Sequence, residues 1–298
     1  MDFRLRVFVA VAKYLSFTKA AKELFISQPA ISKHISELES LYKVELFERQ
    51  SGKIILTHEG EIFLNHALAI LERYDAMAFD MQLLSGNFSG EIKIGASTTI
   101  AQYLISPLLA NFITRFPSVK ITLVTGNSLQ IENALMEHKI DVGLVEGDKK
   151  KSNLKYTNFA KDELVLVTSV HNKCMDSIPI SFLTSIPLVL REMGSGTLEV
   201  IEEALAPYDI KFNNLNVLLQ IGSTEGIKQF LETATSSYAI VSIISILKEL
   251  KQNVLKIIDI KELDIKREFC FVCRQGANNE RVEKFINFAK LTLYNFKL

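Results

Sequence analysis

Gln28, Ser32 and Lys33 share a segment in which the apolar residues Ile31, Ile35 and Leu38 recur every three to four positions. A helix built on that period buries the apolar stripe and turns Gln28, Ser32, Lys33 and Ser36 outward. Those types are suited to reading DNA. Gln pairs two-handed with adenine in the major groove, Ser reaches base edges or phosphate, and Lys is a point charge for the backbone. Any amphipathic two-helix hairpin shows the same spacing, so the pattern by itself leaves DNA reading and plain packing both open.

The flanking residues predict how such a helix is held. Ser16 can cap a preceding helix, whose Ala20 and Ala21 make a thin face for close crossing. Ser27 repeats the cap after a break at Phe25-Ile26, and Pro29 falls in the first turn of a helix starting at Gln28, where a missing N–H costs nothing. Leu46 to Gly60, LFERQSGKIILTHEG, predicts a hairpin with Ser51-Gly52 at its tip and Arg49 and Lys53 beside it, the shape of a wing. Residues 1 to 60 hold nine Lys/Arg and seven Asp/Glu, about +2 (9 − 7). With no broad basic surface, affinity must lean on dimerisation and a few placed contacts.

The order FVAVAKYLSFTKAAKELFISQPAISKHISELE, then LFERQSGKIILTHEG, resembles the winged helix-turn-helix domain of LysR-type transcriptional regulators. The resemblance implies that Gln28, Pro29, Ser32 and Lys33 meet the major groove of double-stranded promoter DNA, with Thr18 near phosphate and Arg49 in the wing. Two departures stand out. The family usually carries Arg where this chain has Lys33, and often a second wing Arg at Gly52, for which the adjacent Lys53 can substitute. Lys lacks the rigid two-pronged contact of Arg, so base reading at position 33 is weakened.

At 298 residues with 48% hydrophobic content, the chain is long enough for two or three packed domains. Its formal net charge of zero selects no partner by itself. MDFRLRVF has no apolar h-region, and no run of eighteen apolar residues occurs, which predicts a cytoplasmic protein without membrane association. Cys270 and Cys273 sit in EFCFVCR, a strand-like run in which residues three apart point to opposite faces, so neither a metal site nor a redox pair is expected. No catalytic constellation, metal site or cofactor motif stands out.

Between the N-terminal segment and the rest, Phe63, Ala67, Ile70, Tyr74, Met77, Met81 and Leu84 are spaced alternately four and three, a heptad seam on a helix over Glu61 to Leu84. About 24 residues span roughly 36 Å, which suits a two-stranded strut between subunits better than packing on its own domain. Ser85 to Gly90, SGNFSG, then reads as a hinge. From Glu91 onward β-branched runs (EIKIGAS, VKITLVTG, IDVGLVEG, PLVLRE, NVLLQIG, YAIVS, FCFVCR) alternate with helical segments such as Ile100 to Phe116 and Glu225 to Ala234. A mainly parallel α/β architecture follows, in two subdomains joined by crossovers near 160 to 165 and 262 to 268. The domain plan is 1–60, 61–89 and 90–298, the last divided into about 90–161 with 267–298, and 162–266.

Hydroxyls and free amides gather at strand ends and helix starts: Ser97, Thr98 and Thr99; Gly126, Asn127 and Ser128; Gly194, Ser195, Gly196 and Thr197; Ser223 and Thr224. Simple capping explains each set singly; four sets facing one crevice would suit a small carboxylate or oxyanion. Residues 91 to 298 resemble the effector-binding domain of the LysR family, with the two-subdomain fold of type 2 periplasmic solute-binding proteins. The resemblance implies effector contacts at Ser97 to Thr99, Ser195 to Thr197, and Ser223 and Thr224, no enzymatic activity, and assembly as homodimer or homotetramer. REMGSGTLEVIEEAL is most similar to the sulfur-assimilation subgroup, which implies sulfite or a sulfate-like anion; an organic acid or amino acid is the alternative. Glu146 could repel an anion, bond a protonated ligand group, or cap a loop. Arg191 could supply positive charge. Two other classes remain: an enzyme using GSGT as a phosphate cradle, which lacks the third glycine and the lysine of such loops, and an exported solute-binding protein, which lacks a signal peptide.

Overall fold

Asp2, Ser16 and Ser27 each accept a hydrogen bond from an amide in the turn that follows. These caps start α1 (Phe3–Tyr14), α2 (Phe17–Leu24) and α3 (Gln28–Tyr42) in a computed structural model that describes residues 2–50, 53–84, 88–147, 151–276 and 279–294. Ala20 is fully buried, so α2 crosses its neighbours closely, and Ile31, Ile35 and Leu38 point into a core with Val7, Phe8 and Val11. Phe25 takes a left-handed conformation (φ 55°) at the end of α2, and its N–H closes that helix on Ala21 and Lys22. This makes the tight turn into α3.

β1 (Phe47–Gln50) and β2 (Lys53–Leu56) form the expected antiparallel hairpin; its Ser51-Gly52 tip lies outside the described residues. α4 (His58–Leu84) starts three residues before the predicted Glu61. Thr57 Oγ1 accepts from the Gly60 N–H at 2.9 Å and donates to Glu45 O at 2.6 Å, so Gly60 lies inside the first turn instead of breaking it. A Cβ on Gly60 would stand 2.1 Å from Leu46 O, which is why a glycine is used there. The heptad seam divides: Ala67 is buried and Phe63 half-buried in the core of their own unit, whereas Ile70, Met77 and Met81 are half or more exposed.

The chain separates into two units, Met1–Asn87 and Phe88–Leu298. The second holds a mixed sheet. One lobe has β3 (Gly90–Ser97), β4 (Val119–Gly126) and β5 (Val142–Glu146) in parallel, with α5 (Thr98–Tyr103), α6 (Ile105–Arg115) and α7 (Ser128–Met136) between them. The predicted single helix from Ile100 to Phe116 is broken at Leu104. Pro107 cannot donate to residue 103, and its ring blocks that carbonyl. β6 (Leu154–Ser169) then crosses to the other lobe. There β8 (Leu188–Arg191), α8 (Gly196–Leu205), β9 (Val217–Ile221), α9 (Thr224–Thr233), β10 (Tyr238–Ser242) and α10 (Leu247–Lys251) repeat the parallel pattern, with β7 (Ser177–Pro179) and β11 (Leu255–Lys261) at the side. β12 (Ile265–Arg274) returns to the first lobe, and α11 (Glu280–Tyr294) packs Phe285 and Phe288 on Phe112.

The parallel expectation thus holds for β3, β4 and β5 and for β8, β9 and β10, and fails for the crossover strands, since β6 pairs antiparallel with β10 and β11. β12 pairs antiparallel with both β5 and β6, because the two crossover strands run past each other from Ile265↔Leu164 to Arg274↔Leu154, with one register shift between Phe269 and Cys270. Of the predicted hinge Ser85 to Gly90, residues 85–87 lie outside the described residues. The burial pattern of α3 sets a test. Ile35→Ala should cost about 2–5 kcal/mol through cavity formation, and Ser36→Ala within about 0.5 kcal/mol of nothing, both read by urea unfolding.

Candidate functional site

The outer face of α3 carries Gln28, Pro29 and Lys33 exposed and Ser32 half-exposed. Gln28 Nε2 donates to Ser32 Oγ at 3.0 Å, one turn along, which orders the amide before any partner arrives. Thr18 is exposed near the start of α2. Glu39, on the inner side of α3, accepts from the Leu46 N–H at 2.9 Å and so fixes the hairpin against this helix. The backbone puts Arg49 and Lys53 on the two hairpin strands, opposite Ile54 and Gln50.

In the second unit the strand ends come together as the register requires. Ser97 stands beside Gly126, and Ala96 beside Leu144, so α5, starting at Thr98, leaves the sheet next to the strand that ends at Glu146. The other lobe brings in the start of α8. A Cβ on Gly196 would lie 2.2 Å from Glu146 O and 2.6 Å from Ser128 Oγ, so only glycine lets α8 approach β5 and α7 this closely. Ser128 Oγ donates to Glu146 O at 3.1 Å in the same seam.

Three of the serines singled out by sequence act as caps. Ser97 Oγ accepts from the Ile100 N–H, Ser195 Oγ from Thr197 N–H and Ser223 Oγ from Gly226 N–H. The threonines differ. Thr98 Oγ1 and Thr99 Oγ1 are buried with no partner, Thr197 Oγ1 accepts from Arg267 Nη1 at 2.9 Å, and Thr224 is buried at the start of α9.

Arg267, which sequence reasoning passed over, is the centre of the seam. Its side chain is wholly buried; Nε donates to Asp162 Oδ2 at 2.7 Å, and Nη1 lies 3.6 Å from Glu146 Oε1. Ser242 Oγ donates to Asp162 Oδ1 at 2.8 Å, and the guanidinium stacks over Phe269. One cation is therefore shared by two carboxylates from different strands, while Arg267 Nη2 and Glu146 Oε2 have no partner. Arg267, set between Lys266 and Glu268 just before the apolar stretch of IKREFCFVCR, was the available signal. Arg267 and Asp162 also line a cavity of about 490 Å³ with Ile243 and Ile244.

Arg191 is 1% exposed, far from the surface ion pair that is the commoner fate of an arginine. It donates through Nε and Nη2 to Glu192, with Nη1 unpaired. Burial would push the Glu192 carboxyl up, but the Arg191 guanidinium and a bond from Asn127 of the other lobe hold it below the ordinary range. Farther along, Tyr103 of the first lobe donates to Glu225 of the second, and the Lys228 ammonium sits 5.2 Å over the Tyr103 ring. Burial, then the Glu225 carboxylate, push the Tyr103 hydroxyl far above its usual range; Lys228 and Tyr103 together keep Glu225 low despite its own desolvation.

Cys270 is buried and its thiol donates to Asn158, Cys273 is half-buried, and neither forms a disulfide. Among the described residues no group of three His, Cys, Asp or Glu could hold a metal, and no helix is long and apolar enough to cross a membrane.

Comparison with known proteins gives two family matches. "Bacterial regulatory helix-turn-helix protein, lysR family" covers residues 3–61, and "LysR substrate binding domain" covers 85–293. The HTH-type transcriptional regulator CysL of Bacillus subtilis is 28% identical over 96% of this chain and 95% of its own. CrgA of Neisseria meningitidis, described as a LysR-type transcriptional regulator, shares the fold with a TM-score of 0.71 and 20% identity, covering 98% and 96%. The regulatory domain of Synechocystis PCC6803 CcmR, solved in complex with 2-PG, matches 70% of this chain and 99% of its own at TM-score 0.63 and 25% identity.

Two measurements check the electrostatics. Arg267→Met leaves two buried carboxylates without their cation and should cost about 3–5 kcal/mol in urea unfolding. Glu192 has a depressed folded value, so its contribution is present above the ordinary 4.5 and is lost as pH falls through the folded value. In that acid window the wild type should lose stability faster than Glu192→Gln.

Proposed function

The chain belongs to the LysR family of bacterial transcriptional regulators, with a DNA-binding helix-turn-helix and an effector-binding domain, and on that premise we propose that it reads promoter DNA in the cytoplasm as a dimer or tetramer and senses a small anion between the lobes of its second unit. The observation that carries the DNA half is the ordered Gln28–Ser32 pair beside exposed Lys33, on a helix whose wing is tied back through Glu39. The exposed Ile70, Met77 and Met81 on α4 support pairing between subunits. Thr18, Arg49 and Lys53 are assigned to phosphate.

For the effector, the residues assigned are Ser97, Thr98, Thr99, Glu146, Ser195, Gly196, Thr197, Ser223 and Thr224. Unpaired hydroxyls at Thr98 and Thr99 and an unpaired N–H on each of two buried arginines support an acidic ligand. Sulfite or a sulfate-like anion is the specific candidate that the sequence suggests, with an organic acid or amino acid as the alternative, and the CcmR regulatory domain solved in complex with 2-PG supports a bound small molecule in a related domain. Ligand binding would alter the lobe arrangement and, through α4, the DNA bend. Such a shift requires a ligand with unequal affinity for the two arrangements, since equal affinity moves nothing.

Selection of bound sequences from a random duplex pool tests the DNA half. The full chain should enrich an inverted repeat. Gln28→Ala should lower affinity for it by about 1–3 kcal/mol and relax one base position per half-site. Lys33→Ala should weaken all sequences alike and reduce the salt slope by about 1. Enrichment of no sequence above the starting pool would overturn this reading.

A further inference from the structure

Five of the buried side-chain atoms without a partner are Thr98 Oγ1, Thr99 Oγ1, Glu146 Oε2, Arg191 Nη1 and Arg267 Nη2. All belong to residues on β5, β8, β12 or the first turn of α5, where the lobes meet. Folded proteins leave few buried polar atoms unpaired, so five on the elements that flank this seam call for partners, and Arg267 and Glu146 already stand within 3.6 Å of each other.

Their chemistry restricts what that partner is. The two arginine nitrogens only donate, the two hydroxyls do either, and an ionised carboxylate oxygen only accepts. Charge points the same way. Arg191 and Glu192 neutralise one another, whereas Arg267 faces both Asp162 and Glu146, leaving that trio at −1. A bare oxyanion or simple carboxylate would satisfy the donors, yet it would leave Glu146 Oε2 unpaired and add like charge beside it.

We propose that the effector is an anion that carries its own hydrogen-bond donor, an α-amino or α-hydroxy acid. Its carboxylate takes the Thr98 and Thr99 hydroxyls and a guanidinium N–H, and its ammonium or hydroxyl donates to Glu146 Oε2. The topology suits this, since β3 and β5 are adjacent parallel strands, α5 starts at Thr98 directly after β3, and Glu146 is the last residue of β5. A single small molecule at these neighbouring strand ends can bond to both sides. The inference rests on the reading of the lobe seam as the effector site.

The test is calorimetric titration of the full chain with matched acids: glycine and glycolate against acetate, L-alanine and L-lactate against propionate, L-aspartate and L-malate against succinate, with sulfate as the bare oxyanion. At least one donor-bearing acid should bind about 10-fold or more tightly than its plain partner, and comparison of its amino and hydroxy forms names the donor. Glu146→Gln should erase that preference, while Thr98→Val should weaken both partners alike. The wild-type comparison decides the matter even if a variant folds poorly. Equal binding by the plain acids, or binding by plain acids or sulfate alone, overturns the donor requirement and leaves the seam as an effector site. Binding by none of the set overturns both.

Discussion

A guanidinium held between two buried carboxylates sets the arrangement on which the second unit depends. Arg267 lies on a crossover strand, Asp162 on the other crossover, and Glu146 at the end of a strand in the first lobe. Taking three charges out of water is costly, and attraction repays it only when geometry and additional hydrogen bonds are good. Ser242 completes Asp162 and Thr197 completes one arginine nitrogen, which draws in β10 and the start of α8. The crossover ladder, the lobe seam and the glycine contact at Gly196 therefore converge on one ion cluster, and the cluster is left with an unused donor and an unused acceptor.

The first unit works by a different economy. Apolar packing fixes α3 completely from one side, and caps fix its start, so its exposed face is free to carry chemistry that contributes nothing to folding. Gln28 and Ser32 are ordered by each other, and Glu39 spends its carboxylate on the hairpin amides. On this nearly neutral unit the few polar groups of the exposed face are positioned in advance. The second unit thus buries its charges in the lobe seam, whereas the exposed face of α3 carries Gln28 and Ser32 beside a single lysine, Lys33.

Much of this was legible in local sequence. Ser16, Ser27 and Pro29 mark helix starts by their own chemistry, and Ile31, Ile35 and Leu38 mark the buried face by period alone. The parallel strands of each lobe were legible as β-branched runs. What escaped has non-local causes. The start of α4 at His58 depends on Thr57 and on the close approach of Gly60 to Leu46 O, and Pro107 split a helix whose apolar period continued across it. β6 was hidden because half of LKYTNFAKDELVLVTS is polar, as suits a crossover with a solvated stretch. Arg267 was hardest, since Asp162 lies 105 residues away and no spacing rule connects them. The hydroxyl clusters were found, but sequence could not separate Ser97, Ser195 and Ser223, which cap helices, from Thr98 and Thr99, which do not.

The central claim is that the buried polar atoms around Arg267 and Glu146 are completed by a small molecule. The most direct measurement is a crystal structure of the full chain, with the tightest-binding acid present, at a resolution that shows ordered water. The account predicts ligand density between the lobes, with an acceptor within hydrogen-bond distance of Arg267 Nη2, a donor on Glu146 Oε2, and contact with Thr98 and Thr99. A dry seam in which these atoms turn to bond protein groups, with the acid bound elsewhere, would contradict it.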